Sequence, residues 1–206
     1  MTKNYKHLCL HIISNPFDGF YDMRRRNRAN EKFVVLMFFS YVLIKILAYF
    51  LTGFVVNNND TSHFNTVRTL ITTLFPFLLF VVANYSVTTL GDGKGFLKDI
   101  INVVGYSLFP LIICHSIALI LSHFVTTDTK VFYYIFIVLG WILFAFYAFI
   151  GLIVIHEYGF FKGILYVLLT AVAMAVIIFI IILLITLFQQ LIGFGISVWR
   201  EIIMRR

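Results

Sequence analysis

One basic residue in this chain stands where a charge is expensive. Lys45 lies inside the apolar run Phe33–Val56, twelve residues from its start, or about 18 Å at 1.5 Å per helical residue. An ammonium at that depth does not snorkel easily to water, so it is expected to face a bundle interior, a cavity or a partner. His115 lies twelve residues into a later run, Val103–Val125, which starts on the same side of the membrane. The shared count predicts a shared depth, with Lys45 donating to an unprotonated ring nitrogen of His115. Asn84, in the run Leu70–Leu90, is placed to join them in a polar layer at the midplane. Such a layer has two readings: a site for a partner helix or a ligand, or a buried contact that only fixes helix register.

Other chemistry lacks its parts. His156-Glu157 has no second histidine to make His-Glu-x-x-His, and reads as a polar boundary pair at the end of a span. His115 and His123 are eight residues apart, roughly on one side of a helix, but two histidines without a third ligand make a poor metal site. The loop Gly91-Asp92-Gly93-Lys94-Gly95 lacks the Gly-x4-Gly-Lys-Ser/Thr string of a phosphate cradle and does not follow a strand. It reads as a flexible turn carrying a basic topology determinant. No Gly-x-Ser-x-Gly string occurs, and no span holds two carboxylates for acid/base work. Cys9 sits in a polar segment and Cys114 in an apolar span, so they are expected not to meet. The sequence thus predicts no catalytic residues, no metal, no cofactor and no enzymatic activity. Asn59-Asp60-Thr61 is a formal glycosylation sequon, meaningful only in a eukaryotic secretory membrane.

These residues are carried on unusually apolar elements. Of 206 residues 61% are hydrophobic and 12% charged, and the mean hydropathy is +0.97. A soluble domain has about 45–50% and about 25% respectively. That balance excludes an ordinary globular enzyme and, by the opposite argument, a disordered chain. The net charge of +7 sits beside apolar runs, so it is read as topology signal and lipid contact rather than as a nucleic-acid surface. Crossing a hydrocarbon core of about 30 Å takes about 20 apolar residues in a helix. Five runs qualify: Phe33–Val56, Leu70–Leu90, Val103–Val125, Val131–Ile155 and Ile164–Phe188. They are joined by Asn57–Thr69, Gly91–Asn102, Thr126–Lys130 and His156–Gly163. Alternating strand patterns are absent, which disfavours a barrel. The predicted fold class is all-α, a polytopic bundle of five transmembrane helices with interfacial amphipathic segments at both ends.

Orientation follows from the flanking cations. Lys3, Lys6, Arg24, Arg25, Arg26, Arg28, Lys32, Lys94, Lys98 and Lys162 put ten on one side; Arg68, Lys130, Arg200, Arg205 and Arg206 put five on the other. The expectation is a multi-pass plasma-membrane protein with a cytoplasmic amino terminus and an outside carboxyl terminus. No Ala-x-Ala cleavage site precedes the first long run, so no signal peptide is expected.

Residues 1–32 form the amino-terminal segment, 33–188 the transmembrane unit and 189–206 a basic tail. Asn15-Pro16 is a helix-start signal, followed by Phe17, Phe20 and Tyr21 at helical spacing and closed by Arg24, Arg25, Arg26 and Arg28. Pro16–Arg28 is read as an interfacial helix with its aromatics among the head groups and its arginines on anionic lipid. The tail, with Leu191, Ile192, Phe194, Trp199, Arg200 and Ile202, either extends the fifth helix or turns along the outer surface. Pro76 and Pro110 are expected to kink their spans, and Gly140, Gly151 and Ala171-x-x-x-Ala175 to permit close helix approach.

A glycine-rich loop at Gly91–Gly95 leads into Gly105-Tyr106-x-x-x-Pro110 in the third of five spans. This arrangement resembles the YIP (Ypt-interacting protein) domain family, and Asn15-Pro16-Phe17 looks like the start of its bacterial members. The Asp-Leu-Tyr-Gly-Pro motif of the eukaryotic branch has no counterpart here, which favours the bacterial branch. The resemblance implies five helices, a cytoplasmic amino terminus, no catalytic residues and action by binding other membrane proteins. Gly105, Tyr106 and Pro110 carry over as family positions. Bacterial members are often encoded beside ABC-type carbohydrate importers, which makes a transporter permease the expected partner, alongside anionic membrane lipids. The alternative is a small transporter, channel or lipid-handling protein using Lys45, Asn84 and His115 as a polar path.

Overall fold

In the computed structural model, residues 8–26, 29–57, 64–91 and 93–204 are described. Arg28, the sequon Asn59-Asp60-Thr61, Asp92 and the terminal Arg205 and Arg206 lie outside the described residues. Seven helices follow in order: α1 (Leu8–Ser14), α2 (Pro16–Arg25), α3 (Glu31–Leu51), α4 (Thr66–Leu90), α5 (Leu97–Leu121), α6 (Val131–His156) and α7 (Phe160–Met204). No strand occurs among the described residues. Helices α3 to α7 are each long and apolar enough to cross a membrane.

The bundle is organised around α5, whose most apolar window is 61% buried while the corresponding window of α7 is only 6% buried. Helices α3 and α6 flank α5, α4 closes the third side, and α7 rests on α4 and α6. Glycines allow the close approaches. A Cβ on Gly105 would meet the Val34 side chain at 2.5 Å, and one on Gly151 the Val103 side chain at 2.5 Å. Gly140 brings α6 to 3.0 Å from Cys114 Cβ in the same sense. Ala171 and Ala175, expected in a helix contact, instead face outward on α7.

The amino-terminal helices dock on the bundle, on what we call its near face. Phe20 is fully buried and Met23 nearly so, while Phe17 and Tyr21 stay exposed. Only part of the expected interfacial aromatic face therefore points outward, and the helix ends at Arg25 rather than Arg28. The short helix α1, for which the sequence offered no start signal, packs Leu8, Cys9 and Ile12 into the core. Tyr147 of α6 donates a 2.9 Å hydrogen bond to the carbonyl of Ile13. Burial pushes the Cys9 thiol up to about 11, and both cysteines are free and buried.

Side-chain caps set several ends. Asn30 Oδ1 accepts from Lys32 N–H and Asn65 Oδ1 from Arg68 N–H, each at 3.0 Å, and Asp99 Oδ2 accepts from Phe96 N–H at 3.0 Å. This last cap starts α5 six residues before the apolar run. Asn15 marks the start of α2 without capping it, so Pro16 at the first position is the operative signal. Helix α3 stops at Leu51, five residues before the apolar run ends, because the Gly53 N–H is claimed at 2.8 Å by Ser122 Oγ beyond α5. The tail continues α7 as one helix to Met204.

Gly53 approaches the end of α5 so closely that a Cβ there would sit 1.9 Å from the Ser122 carbonyl oxygen. Gly53→Ala is expected to cost about 1–3 kcal/mol through overpacking against backbone that cannot yield. Ser122→Ala, which removes the bond accepted from Gly53 N–H and the one donated to the Leu119 carbonyl, is expected to cost about 1 kcal/mol. Thermal unfolding in detergent should rank wild type, Ser122→Ala and Gly53→Ala in that order of falling stability.

Candidate functional site

Lys45 faces a cavity of about 670 Å³ that opens between the ends of α3, α4 and α6 farthest from α1 and α2. From Arg68 in the first turn of α4 the wall descends to Pro76 and Phe77, roughly 12–14 Å along the axis at 1.5 Å per residue. Lys45 lies six residues before the end of α3, about 9 Å along the axis. Because α3 ends at Leu51 and not at Val56, Lys45 lies in the far half of α3.

Aromatic rings form the floor. Tyr41, 1% exposed, carries the Lys45 ammonium 5.5 Å above its ring centroid. It also contacts Phe77 and His115, with centroids at 5.5 and 5.9 Å. Trp141 stacks on Phe77 at 6.2 Å and meets His115 edge-on at 6.3 Å. A cation–π contact is worth about 0.5–2 kcal/mol, against about 2.5–3.5 kcal/mol for placing a lysine at the centre of a membrane helix. The Tyr41 ring alone therefore does not offset the cost of the charge, and the cavity supplies the rest of its solvation.

The structure brings Lys45 and His115 together around Tyr41 but does not bond them. His115 Nδ1–H donates to the Leu111 carbonyl at 3.0 Å, within its own helix, and Nε2 is buried without a partner among the described residues. The expected Lys45–His115 hydrogen bond is absent because the lysine turns to the cavity and the Tyr41 ring. Asn84 belongs to a different level. It lies six residues from the near end of α4, and its amide donates to Thr170 Oγ1 of α7 at 3.0 Å. His123 falls in the turn after α5 ends at Leu121, so it shares no helix face with His115.

A second polar assembly occupies the near face, centred on Glu157, which the sequence presented as one half of an isolated pair. Lys94 Nζ pairs with Glu157 Oε2 at 2.7 Å, and Arg24 and Arg25 reach Oε1 at 3.3 and 3.4 Å. Arg24 also donates to the Lys94 carbonyl at 2.7 Å and lies 4.0 Å from Asp99. Lys98 pairs with Glu31 alongside. The loop holding Gly93 and Gly95 is docked, not loose: Gly95 N–H donates to His156 Nδ1 at 3.2 Å, and Gly93 N–H to the Thr88 carbonyl at 3.1 Å. Arg24 is thereby turned inward, whereas Arg25 and Arg26 keep most of their side chains exposed. Glu157 is also the one non-glycine residue described with positive φ, at 56°. Glycine is favoured at that helix-ending position, so a carboxylate there is a local signal of a tertiary role.

The residues Gly105, Tyr106 and Pro110 all lie in α5. Gly105 admits Val34, and Tyr106 stacks on Phe33 at 4.9 Å while its hydroxyl accepts from Asn30 N–H at 3.2 Å. Together they seat the first turn of α3 on α5. The family model for the Yip1 domain matches residues 10–183. The chain belongs to the Yip1 family. It is a multi-pass membrane protein of a family not known for enzymatic activity. Comparison with curated proteins and with solved structures gave no match. In this Yip1-family chain Gly105 and Tyr106 do structural work at the α3–α5 contact, and none of the three motif positions lines the cavity.

The hydrogen bond and charge of Lys94, with Arg24 and Arg25 beside it, hold the Glu157 carboxyl below the usual carboxylate range. A carboxylate so lowered contributes fully above its unfolded value of about 4.3, and that contribution fades as pH falls through the lowered folded value. The protection of amides 93–96, taken relative to intrinsic exchange at each pH, should thus be high at neutral pH and fall below about pH 4. Glu157→Gln should exchange fast at neutral pH and lose that pH dependence.

Proposed function

We propose that this chain is a non-enzymatic membrane protein that works by associating with other integral membrane proteins, with a permease subunit of an ABC-type carbohydrate importer as the first partner to test. The observation that carries this reading is the length and bareness of α7. Its 45 residues extend about 68 Å at 1.5 Å per residue, against a hydrocarbon core of about 30 Å. Fitting that length inside the core would need a tilt beyond about 60°, where membrane helices reach about 40°. The far end of α7 is nonetheless apolar, with Leu191, Ile192, Phe194 and Trp199 all more than half exposed. Apolar side chains carried beyond the hydrocarbon are costly unless another protein covers them. The outward Ala171 and Ala175 offer a second helix a close approach lower on the same element.

In this reading the protein sits in the plasma membrane with its amino terminus in the cytoplasm, and Arg25 and Arg26 meet anionic head groups. Affinity purification of the tagged chain from its native membranes in mild detergent, with mass spectrometry, is the test. The expected result is stoichiometric recovery of another integral membrane protein, lost when Leu191 and Phe194 are both changed to Glu. Recovery of permease and ATPase subunits would establish the importer as that partner. Recovery of the chain alone, or only as a homo-oligomer, would overturn the reading.

A further inference from the structure

The cavity beneath Arg68 has an unbalanced charge. Lys45 and Arg68 both line it, and no carboxylate does among the described residues. Neither cation forms an ion pair with a described residue; Lys45 has only the Tyr41 ring. Its mouth is also the start of α4, whose amide ends add positive potential. Two like charges facing one partly apolar space repel each other and lose hydration, a cost that an anion between them relieves.

The polar lining is suited to receive such an anion. Thr52, Thr69 and Thr72 spend their hydroxyl protons on carbonyls of their own helices, while Lys45, Arg68 and the half-buried Thr73 stand among the donors that line the space, with Tyr49, Asn65 and Tyr133 beside them. Tyr41, Phe77 and Trp141 provide an apolar floor, the usual partner of a few placed charges in a ligand site.

We propose that this cavity binds a phosphate group, with Arg68 gripping it at the mouth and Lys45 holding it from below. The phosphate is either that of an anionic lipid head group in the adjoining leaflet or a free phosphate entering from the far side. Arginine matches the oxygens of a phosphate two at a time, and lysine supplies a compact point charge. The site rests on the cavity alone and is independent of whether α7 meets a partner.

Trp141 lines the cavity and reports its occupancy. The chain has two tryptophans, so Trp199→Phe, at an exposed position on α7, leaves Trp141 as the sole emitter. The full chain with this change, in an uncharged detergent at constant ionic strength, is titrated separately with inorganic phosphate, with dihexanoyl phosphatidylglycerol and with dihexanoyl phosphatidylcholine. A saturable change in Trp141 emission is expected with one or both anionic probes, and the zwitterionic lipid should bind at least about tenfold more weakly. Saturation by the anionic lipid alone assigns the head-group source; saturation by inorganic phosphate at equal strength assigns the free anion. Lys45→Gln and Arg68→Gln should each weaken binding about tenfold or more, and Lys45→Arg should retain it. Arg68 is on the surface, so its variant tests the site even where loss of Lys45 disturbs the fold. No saturable response, equal binding of phosphatidylcholine, or wild-type affinity in Arg68→Gln would overturn the proposal.

Discussion

Close approach of backbones at α5 is the constraint on which the other contacts depend. Between helices in lipid, burying one apolar side chain against another gains little, because the tails they leave are equally apolar. What remains is dispersion, and dispersion needs short distances. Gly105 lets α3 descend onto α5, and Gly140 and Gly151 let α6 descend on another side. Once those three helices are seated, the cavity is the space left between the far ends of α3, α4 and α6. At the opposite face the same seating brings Glu157 within reach of Lys94 and Arg24.

The five spans were legible because their signal is local: about 20 consecutive apolar residues need no tertiary context to be recognised. Helix ends were less so. The apolar run through Val56 overshot α3 because the interaction that stops it, Gly53 with Ser122, joins positions 69 residues apart. Depth counted from the starts of the runs put Lys45 and His115 at one level, and both do meet the Tyr41 ring, whereas Asn84 lies nearer the opposite face. Thr170, which accepts from the Asn84 amide, was invisible as a partner until α4 and α7 were side by side. Lys45 was identifiable at once, since a lysine in a hydrocarbon run is anomalous wherever the neighbours lie. Its cavity was not, since Arg68 and Thr73 look like ordinary flank residues in one dimension.

The two faces of the molecule treat charge differently. Near-face cations are largely spent on carboxylates: Lys94, Arg24 and Arg25 on Glu157, Lys98 on Glu31, Arg26 on Asp22. Exposed pairs of this kind contribute little individually, but the three on Glu157 tie α2, the loop before α5 and the end of α6 to one residue. On the far face Lys45 and Arg68 have no such described partner, although they stand in a less hydrated place. The basic residues described are thus divided between structural ties at one end and a cavity without a carboxylate at the other.

The short turn between α6 and α7 gives that asymmetry a mechanical side. Helix α7 begins three residues after Glu157 and runs about 68 Å to its tip, so it behaves as a lever with its fulcrum beside the near-face ties. A sideways displacement of about 5 Å at the tip amounts to a rotation of only about 4° for a rod of that length, a movement the packed root absorbs without breaking a hydrogen bond. Larger excursions load the Glu157 turn, and with it Arg24 and the loop that Gly95 anchors. Torque applied far from the bundle is in this way delivered to the turn whose carboxylate pairs with the amino-terminal helix.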